Sequence, residues 1–146
     1  MNNFINEAYK EALKAFREDE VPVGAVIVKD GKVIARAHNK KEKKNDCTSH
    51  AEIECIRKAS RKIGDWYLKG CELYVTLEPC VMCCGALINA RIEKVYYGTR
   101  DLKGGALGGL FDLMKQEGFN HYFDYEYLND AKCGQILKNY FKGKRK

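Results

Sequence analysis

Cys80 and Cys83 stand three residues apart directly after Pro79, in the stretch TLEPCVMCCGALI. No other feature restricts the fold of this chain so strongly. Residues 71–77, CELYVTL, alternate with the period-two pattern of a strand. Pro79 and the apolar run after it open a helix through about Ala90. The two cysteines therefore sit where a strand gives way to a helix. At i and i+3 their sulfurs share one helix face, and the helix N-terminus favours thiolate over thiol. Two such thiolates are half of a tetrahedral zinc site, but the same spacing serves a redox pair. In the zinc reading the fold must bring further ligands from elsewhere.

Of three histidines, His50 stands out. It lies in TSHAEIEC, at the start of a second helical pattern over 50–62 that repeats through Ile53, Ile56 and Ala59. Glu52 follows two positions later. Taken singly, each residue has a plain reading. Glu52 could close a capping box begun by Ser49, His50 could be a satisfied polar side chain, and the cysteines could be a buried redox pair. Taken together, His50-Ala51-Glu52 and Pro79-Cys80-Val81-Met82-Cys83 complete the pattern His-x-Glu … Pro-Cys-x-x-Cys of zinc nucleobase deaminases. One imidazole and two thiolates hold zinc and leave a fourth position for water. Glu52 is then the carboxylate that moves the water proton. Cys84 reads as a small packed hydrophobe or as a spare sulfur beside the metal. Cys47, Cys55, Cys71 and Cys133 read as core or surface thiols.

The remaining chain has room for one domain over residues 1–146. Residues 3–18 carry Phe4, Ile5, Ala8, Ala12, Leu13 and Phe16 at helical spacing. VPVGAVIV (21–28) and KVIARA (32–37) read as strands joined by a tight turn at Asp30-Gly31. IEKVYYG (92–98) and HYFDYEY (121–127) read as further strands, with a helix near 109–116 between them and a last helix from Asp130 to near Phe141. This order predicts an α/β three-layer sandwich, a central mixed five-stranded sheet between helices. Its later strands are parallel because helices cross between them. GGALGG (104–109) lacks the Gly-Lys-Ser/Thr of a phosphate loop. It reads as a turn that either lines an entrance or only packs.

Charge points to a partner. The net charge is +6. KNYFKGKRK (138–146) holds five basic side chains and two aromatics with no acid, within a basic C-terminal segment 130–146, and a second basic run, KKEKK, spans 40–44. Basic residues interleaved with Tyr140 and Phe141 suit nucleic acid, although a solvated tail has the same composition. No apolar run approaches the ~20 residues that span a bilayer. MNNFINEAYKEALKAF lacks the apolar core of a signal peptide. With seven clustered cysteines, the expected compartment is the cytoplasm.

The stretches EVPVGAVIV, VIARAHN, TSHAE, LYVTLEPCVMCCGALI, ARIEKVYYG, RDLKGGALGGLFDL, GFNHYF and NYFKGKRK resemble the bacterial tRNA-specific adenosine deaminases, from about Glu20 to the C-terminus. The resemblance implies the cytidine-deaminase-like fold and conversion of the wobble adenosine of a tRNA anticodon to inosine. It implies one Zn2+ on His50, Cys80 and Cys83, with Glu52 as the proton shuttle. It also implies that Asn39 touches the target nucleotide and that Val23 and Ala51 wall the base pocket. Asn120 and Phe141 would hold flanking nucleotides of the anticodon stem-loop, and two copies would form a homodimer that shares active-site residues. Two positions depart from the family pattern: Cys47-Thr48-Ser49 replaces Pro-Thr-Ala before His50, and Cys84 replaces a small residue. Two other functions remain open at this level. One is a deaminase of a free purine or nucleoside, as guanine deaminase is; the other is a zinc-bearing RNA-binding module without catalysis.

Overall fold

The computed structural model describes residues 3–144; Arg145 and Lys146 of the basic tail lie outside them. Its elements are α1 (Phe4–Arg17), β1 (Gly24–Lys29), β2 (Lys32–His38), α2 (Lys41–Lys44), α3 (Ala51–Ile63), β3 (Cys71–Leu77), α4 (Val81–Asn89), β4 (Lys94–Thr99), a 3-10 turn (Leu113–Lys115), β5 (Asp124–Tyr127) and α5 (Ala131–Lys144). The five strands form one mixed sheet in the order β2-β1-β3-β4-β5. β1 pairs antiparallel with β2 and β3, whereas β3-β4 and β4-β5 are parallel.

The layering follows from side-chain parity along β1. Ala25 and Ile27 join the large core beneath α3 and α4, with Leu73, Val75, Cys55, Cys84 and Leu87. Val26 and Val28 point the other way and meet Ala8 of α1 and Tyr74. Burial on both faces explains why β1 reads as a continuous apolar run and not as an alternation. The β1-β2 turn is the expected one: Asp30 and Gly31 have φ of 52° and 74°, and Lys29 pairs with Lys32. Gly24 lets α1 lie against the start of β1, because a Cβ there would come within 2.1 Å of the Ala8 carbonyl oxygen.

Between β4 and β5 the expected helix at 109–116 is absent. The segment folds back instead, through a bridge between Leu107 and Asp112, into the short 3-10 turn, whose Asp112 accepts from the Met114 N–H. Gly108 has φ of 111°, outside the helical region. The backbone N–H groups of Leu107 and Gly109 are taken by the Glu78 carboxylate, at 2.8 Å each. The Leu113 N–H, which in a helix over 109–116 would bond the Gly109 carbonyl, goes instead to the Ala106 carbonyl at 2.9 Å. The strands are still parallel, because the loop crosses over as a helix would have done.

α1 is also latched to the end of β2. The ring of His38, 6% exposed, lies with Nδ1 3.1 Å from Glu11 and Nε2 3.0 Å from Glu18. Two carboxylates call for a ring that donates from both nitrogens, the imidazolium. The Glu11 bond raises the His38 pKa, against burial and with help from Glu18. Burial works to raise Glu11, but bonds from His38 and Lys14 outweigh it and bring it down to about 2. The histidine contribution is complete below its ordinary 6.5 and fades as pH rises through the raised value. The glutamate contribution is complete above 4.5 and fades as pH falls towards about 2. His38→Ala should therefore cost most between about pH 4.5 and 6.5, on the order of 2 kcal/mol. Thermal melts of both proteins should differ by about 4–8 °C in that window and by much less at pH 9.

Candidate active site

His50 and Cys80 occupy equivalent places on adjacent helices. Each is the N-cap residue with extended backbone, ψ 158° in α3 and 176° in α4, and neither side chain caps its own helix. Pro79 thus precedes the N-cap of α4. His50 Nδ1 lies 3.7 Å from Cys80 Sγ and 3.5 Å from Cys83 Sγ. Zn–S of about 2.3 Å and Zn–N of about 2.0–2.1 Å at tetrahedral angles put sulfur and nitrogen about 3.6 Å apart. The donor set therefore fits zinc in both chemistry and span. Among the described residues it is the group of three or more His, Cys, Asp and Glu whose ligand atoms lie within 4.8 Å of one another.

The three groups are coupled through their protons, and His50 and Cys83 would release theirs on binding a metal. A hydrogen bond from the Cys83 thiol, assisted by His50 and opposed by burial, brings Cys80 down to about 4. The Cys80 thiolate in turn raises His50. It also raises Cys83, and burial adds to that rise. Cys84 is fully buried in the core and directs its sulfur to the Pro79 carbonyl, 3.8 Å away. It is a packed side chain and does not belong to the trio. Cys47 is exposed, whereas Cys55, Cys71 and Cys133 are buried.

Glu52 lies on the first turn of α3 and is 4% exposed. Burial pushes its carboxyl up to about 7. The capping-box reading fails, because the N-cap is His50 and not Ser49, and no side chain caps this helix. Glu52, His50 and Cys80 face a cavity of about 160 Å3 whose apolar walls are Val21, Val23, Ala51 and Leu77. Asn39, Lys41, Glu78 and Asp101 supply its polar rim. The volume is below the ~300–1,000 Å3 of sites for drug-sized ligands, a space on the scale of a single small ring system. The buried Asn39 Oδ1 has no hydrogen-bond partner among the described residues, while its Nδ2 donates to the Val21 carbonyl at 3.4 Å. An orphaned acceptor in such a wall wants a donor from a ligand. A larger groove of about 470 Å3 between α1 and α5 contains none of these chemical groups.

A profile of the MafB19-like deaminases matches residues 1–145. A tRNA-specific adenosine deaminase of Aquifex aeolicus is 45% identical over 139 residues, which cover 95% of this chain and 92% of that protein. The enzyme of the same name from Bacillus subtilis is 45% identical over 98% of this chain and 89% of its own length. The chain belongs to the tRNA-specific adenosine deaminase family. A solved structure from studies of A-to-I editing by tRNA:A34 deaminases at the wobble position superposes with TM-score 0.86 at 44% identity, covering 92% of this chain and 98% of that one. A guanine deaminase from Bacillus subtilis superposes at 0.66 with 30% identity, over 97% and 95%.

The residues that the family resemblance implies fall into two groups. Val23, Asn39, His50, Ala51, Glu52 and Cys80 share one cavity, and Cys83 lies against His50 from behind. Asn120 lines a separate hollow with Val81, Gly85 and Phe119. Phe141 projects from α5, 44% exposed. Sequence reasoning missed Lys41, Glu78 and Asp101. Glu78 had a signal in plain sight, a carboxylate next to Pro-Cys. α2 itself was read only as a basic run.

Proposed function

We propose that this protein is a zinc-dependent hydrolase that deaminates adenosine to inosine at the wobble position of a tRNA anticodon. The observation that carries this is the convergence of His50, Cys80 and Glu52 on one small cavity, with Cys83 completing the His50-Cys80 donor set, in a chain of this family. His50, Cys80 and Cys83 would hold the ion. Zinc there would supply a Lewis acid that makes hydroxide available near neutral pH. The chain supplies the rest. Val23 and Ala51 flank the base, and the orphaned Asn39 Oδ1 takes a hydrogen bond from the bound nucleotide. Glu52, held near pH 7 in its proton affinity by burial, takes a proton from water. It gives that proton to the ring nitrogen as the new C–O bond forms at C6, then carries the proton of the new hydroxyl to the exocyclic amine, so the C–N bond breaks and ammonia leaves.

The runner-up is a free-purine deaminase, the chemistry named for the Bacillus subtilis structure at 30% identity. The surface around the mouth favours RNA. Lys41 stands on the rim, exposed and without an ion pair among the described residues. The tail divides its work. Tyr140 packs on Phe16 at 6.2 Å between ring centroids and donates to the Asp19 carbonyl, while Lys144 pairs with Asp19. Phe141, Lys138 and Lys142 remain exposed, free to meet bases and phosphates with Asn120 on the flanking nucleotides. An anticodon stem-loop with wobble adenosine should yield inosine, whereas free adenosine and guanine should turn over poorly. Lys41→Ala should raise the stem-loop Kd and lower the slope of log affinity against log salt by about one. Faster turnover of guanine than of the stem-loop would replace this function with the runner-up.

Two further readings belong to the proposal. Val81, Leu102, Leu110, Phe111 and Phe119 are 56%, 72%, 59%, 42% and 37% exposed, and a partner that buried them would gain from removing their surface from water. A second copy of the chain covering this surface is the proposed homodimer, and a monomer in sedimentation velocity would remove it. The seven cysteines are all free, which supports the cytoplasm as the compartment. No helix among the described residues is long and apolar enough to cross a membrane.

A further inference from the structure

Glu78 is 2% exposed, yet its side chain makes no ion pair among the described residues. Its carboxylate is instead wrapped by backbone. Oε1 accepts from the Asp101 N–H at 3.0 Å, and Oε2 accepts from the N–H groups of Leu107 and Gly109 at 2.8 Å each. All three donors belong to one loop, residues 101–109. Two glycines of that loop make room for the carboxylate. A Cβ on Gly105 would lie 2.2 Å from Glu78 Cδ, and one on Gly109 would lie 2.4 Å from Oε1. Gly105 and Gly109 are thus the negative of a buried carboxylate, while Gly108 supplies the φ of 111° between them.

The connection to chemistry is short. Glu78 lies between the C-terminal end of β3 and Pro79-Cys80, and its own N–H donates to the Thr99 carbonyl at the end of β4. The loop that it grips returns the favour: the Ala106 N–H donates to the Pro79 carbonyl, and Cys80 bridges Gly105. The same loop carries Asp101 onto the rim of the base cavity. We propose that Glu78 is a positioning residue for substrate. It locks the 101–109 loop against the Cys80 turn, so that the loop forms a fixed wall of the active-site mouth. Both of its oxygens accept from backbone N–H groups of the loop.

A wall placed by three hydrogen bonds should lose its register when one acceptor becomes a donor. In Glu78→Gln the amide NH2 faces either the Asp101 N–H or the Leu107 and Gly109 pair. The proposal rests on the deaminase reading for its activity arm only. With zinc-loaded protein well below its melting temperature, Glu78→Gln should keep one zinc per chain and an unshifted pH profile. Its kcat/KM on the stem-loop should fall by about 10–100-fold, as misplacement on the scale of an ångström does. Amide exchange should rise at Asp101, Leu107 and Gly109 and stay unchanged in β1 and β3. Gly105→Ala keeps the carboxylate but pushes it from its seat, and should reproduce both effects. Wild-type kcat/KM in either well-folded variant, or loss of zinc from Glu78→Gln, overturns the positioning role. Failure of the wild-type protein itself to edit the stem-loop strikes the functional reading instead. In that case the exchange pattern alone decides whether Glu78 holds the loop, and unchanged exchange at the three amides overturns it.

Discussion

Glu52→Gln should leave zinc and RNA binding intact and lower deamination of the stem-loop by about 10²–10⁴-fold, the range that a positioned acid–base group supplies. The amide matches the carboxylate in shape but cannot carry a proton between water and base. The geometry removes the main competing explanation of such a loss. Glu52 makes no capping bond, and the N-cap of α3 is His50, so Gln does not weaken the helix by vacating a cap. Burial raises the proton affinity of Glu52 to about 7, the range in which one group can both accept and return a proton near neutrality. Single-turnover inosine formation beside zinc analysis makes the comparison. Near-wild-type turnover in Glu52→Gln would strip this residue of its role.

Cys83→Ala should abolish activity by a different route. Its sulfur is fully buried and lies 3.5 Å from His50, and its loss leaves two donors where three are needed. Zinc held there at about 1,000 times its Kd would stabilise the folded chain by about 4 kcal/mol, because the ion would tie the starts of α3 and α4 together. The melting temperature should therefore fall by about 8–16 °C. A chelator should lower the wild-type melting temperature by a similar amount and leave Cys83→Ala nearly unmoved. Full zinc occupancy in Cys83→Ala, or a chelator shift equal to that of wild type, would exclude Cys83 from the ligand set.

The same site shows how the sequence and the tertiary structure divide the information. The sequence by itself determined the elements with short-range periods, the Asp30-Gly31 turn and the two helix starts that carry His50 and the Cys80-Cys83 pair. These depend on contacts within a few residues, and residue order records them directly. It also determined the mixed five-stranded sheet, since alternation of elements restricts how strands can pair. The helix expected at 109–116 fails for the opposite reason. The Glu78 carboxylate, some thirty residues earlier in the chain, holds the backbone on either side of Gly108, whose φ of 111° is not helical, and the Leu113 N–H goes to the Ala106 carbonyl and not to Gly109; no local pattern carries these contacts. The capping box fails by one residue, because Ser49 precedes the cap, a displacement that only backbone angles reveal. Asn39, Val23 and Ala51 converge on Glu52 because β1, β2 and α3 end at one edge of the molecule, and Lys41, Glu78 and Asp101 join them there. Composition and spacing supplied the reactive groups. Which of them share a cavity was decided by long-range contacts that form only when the strands are in register.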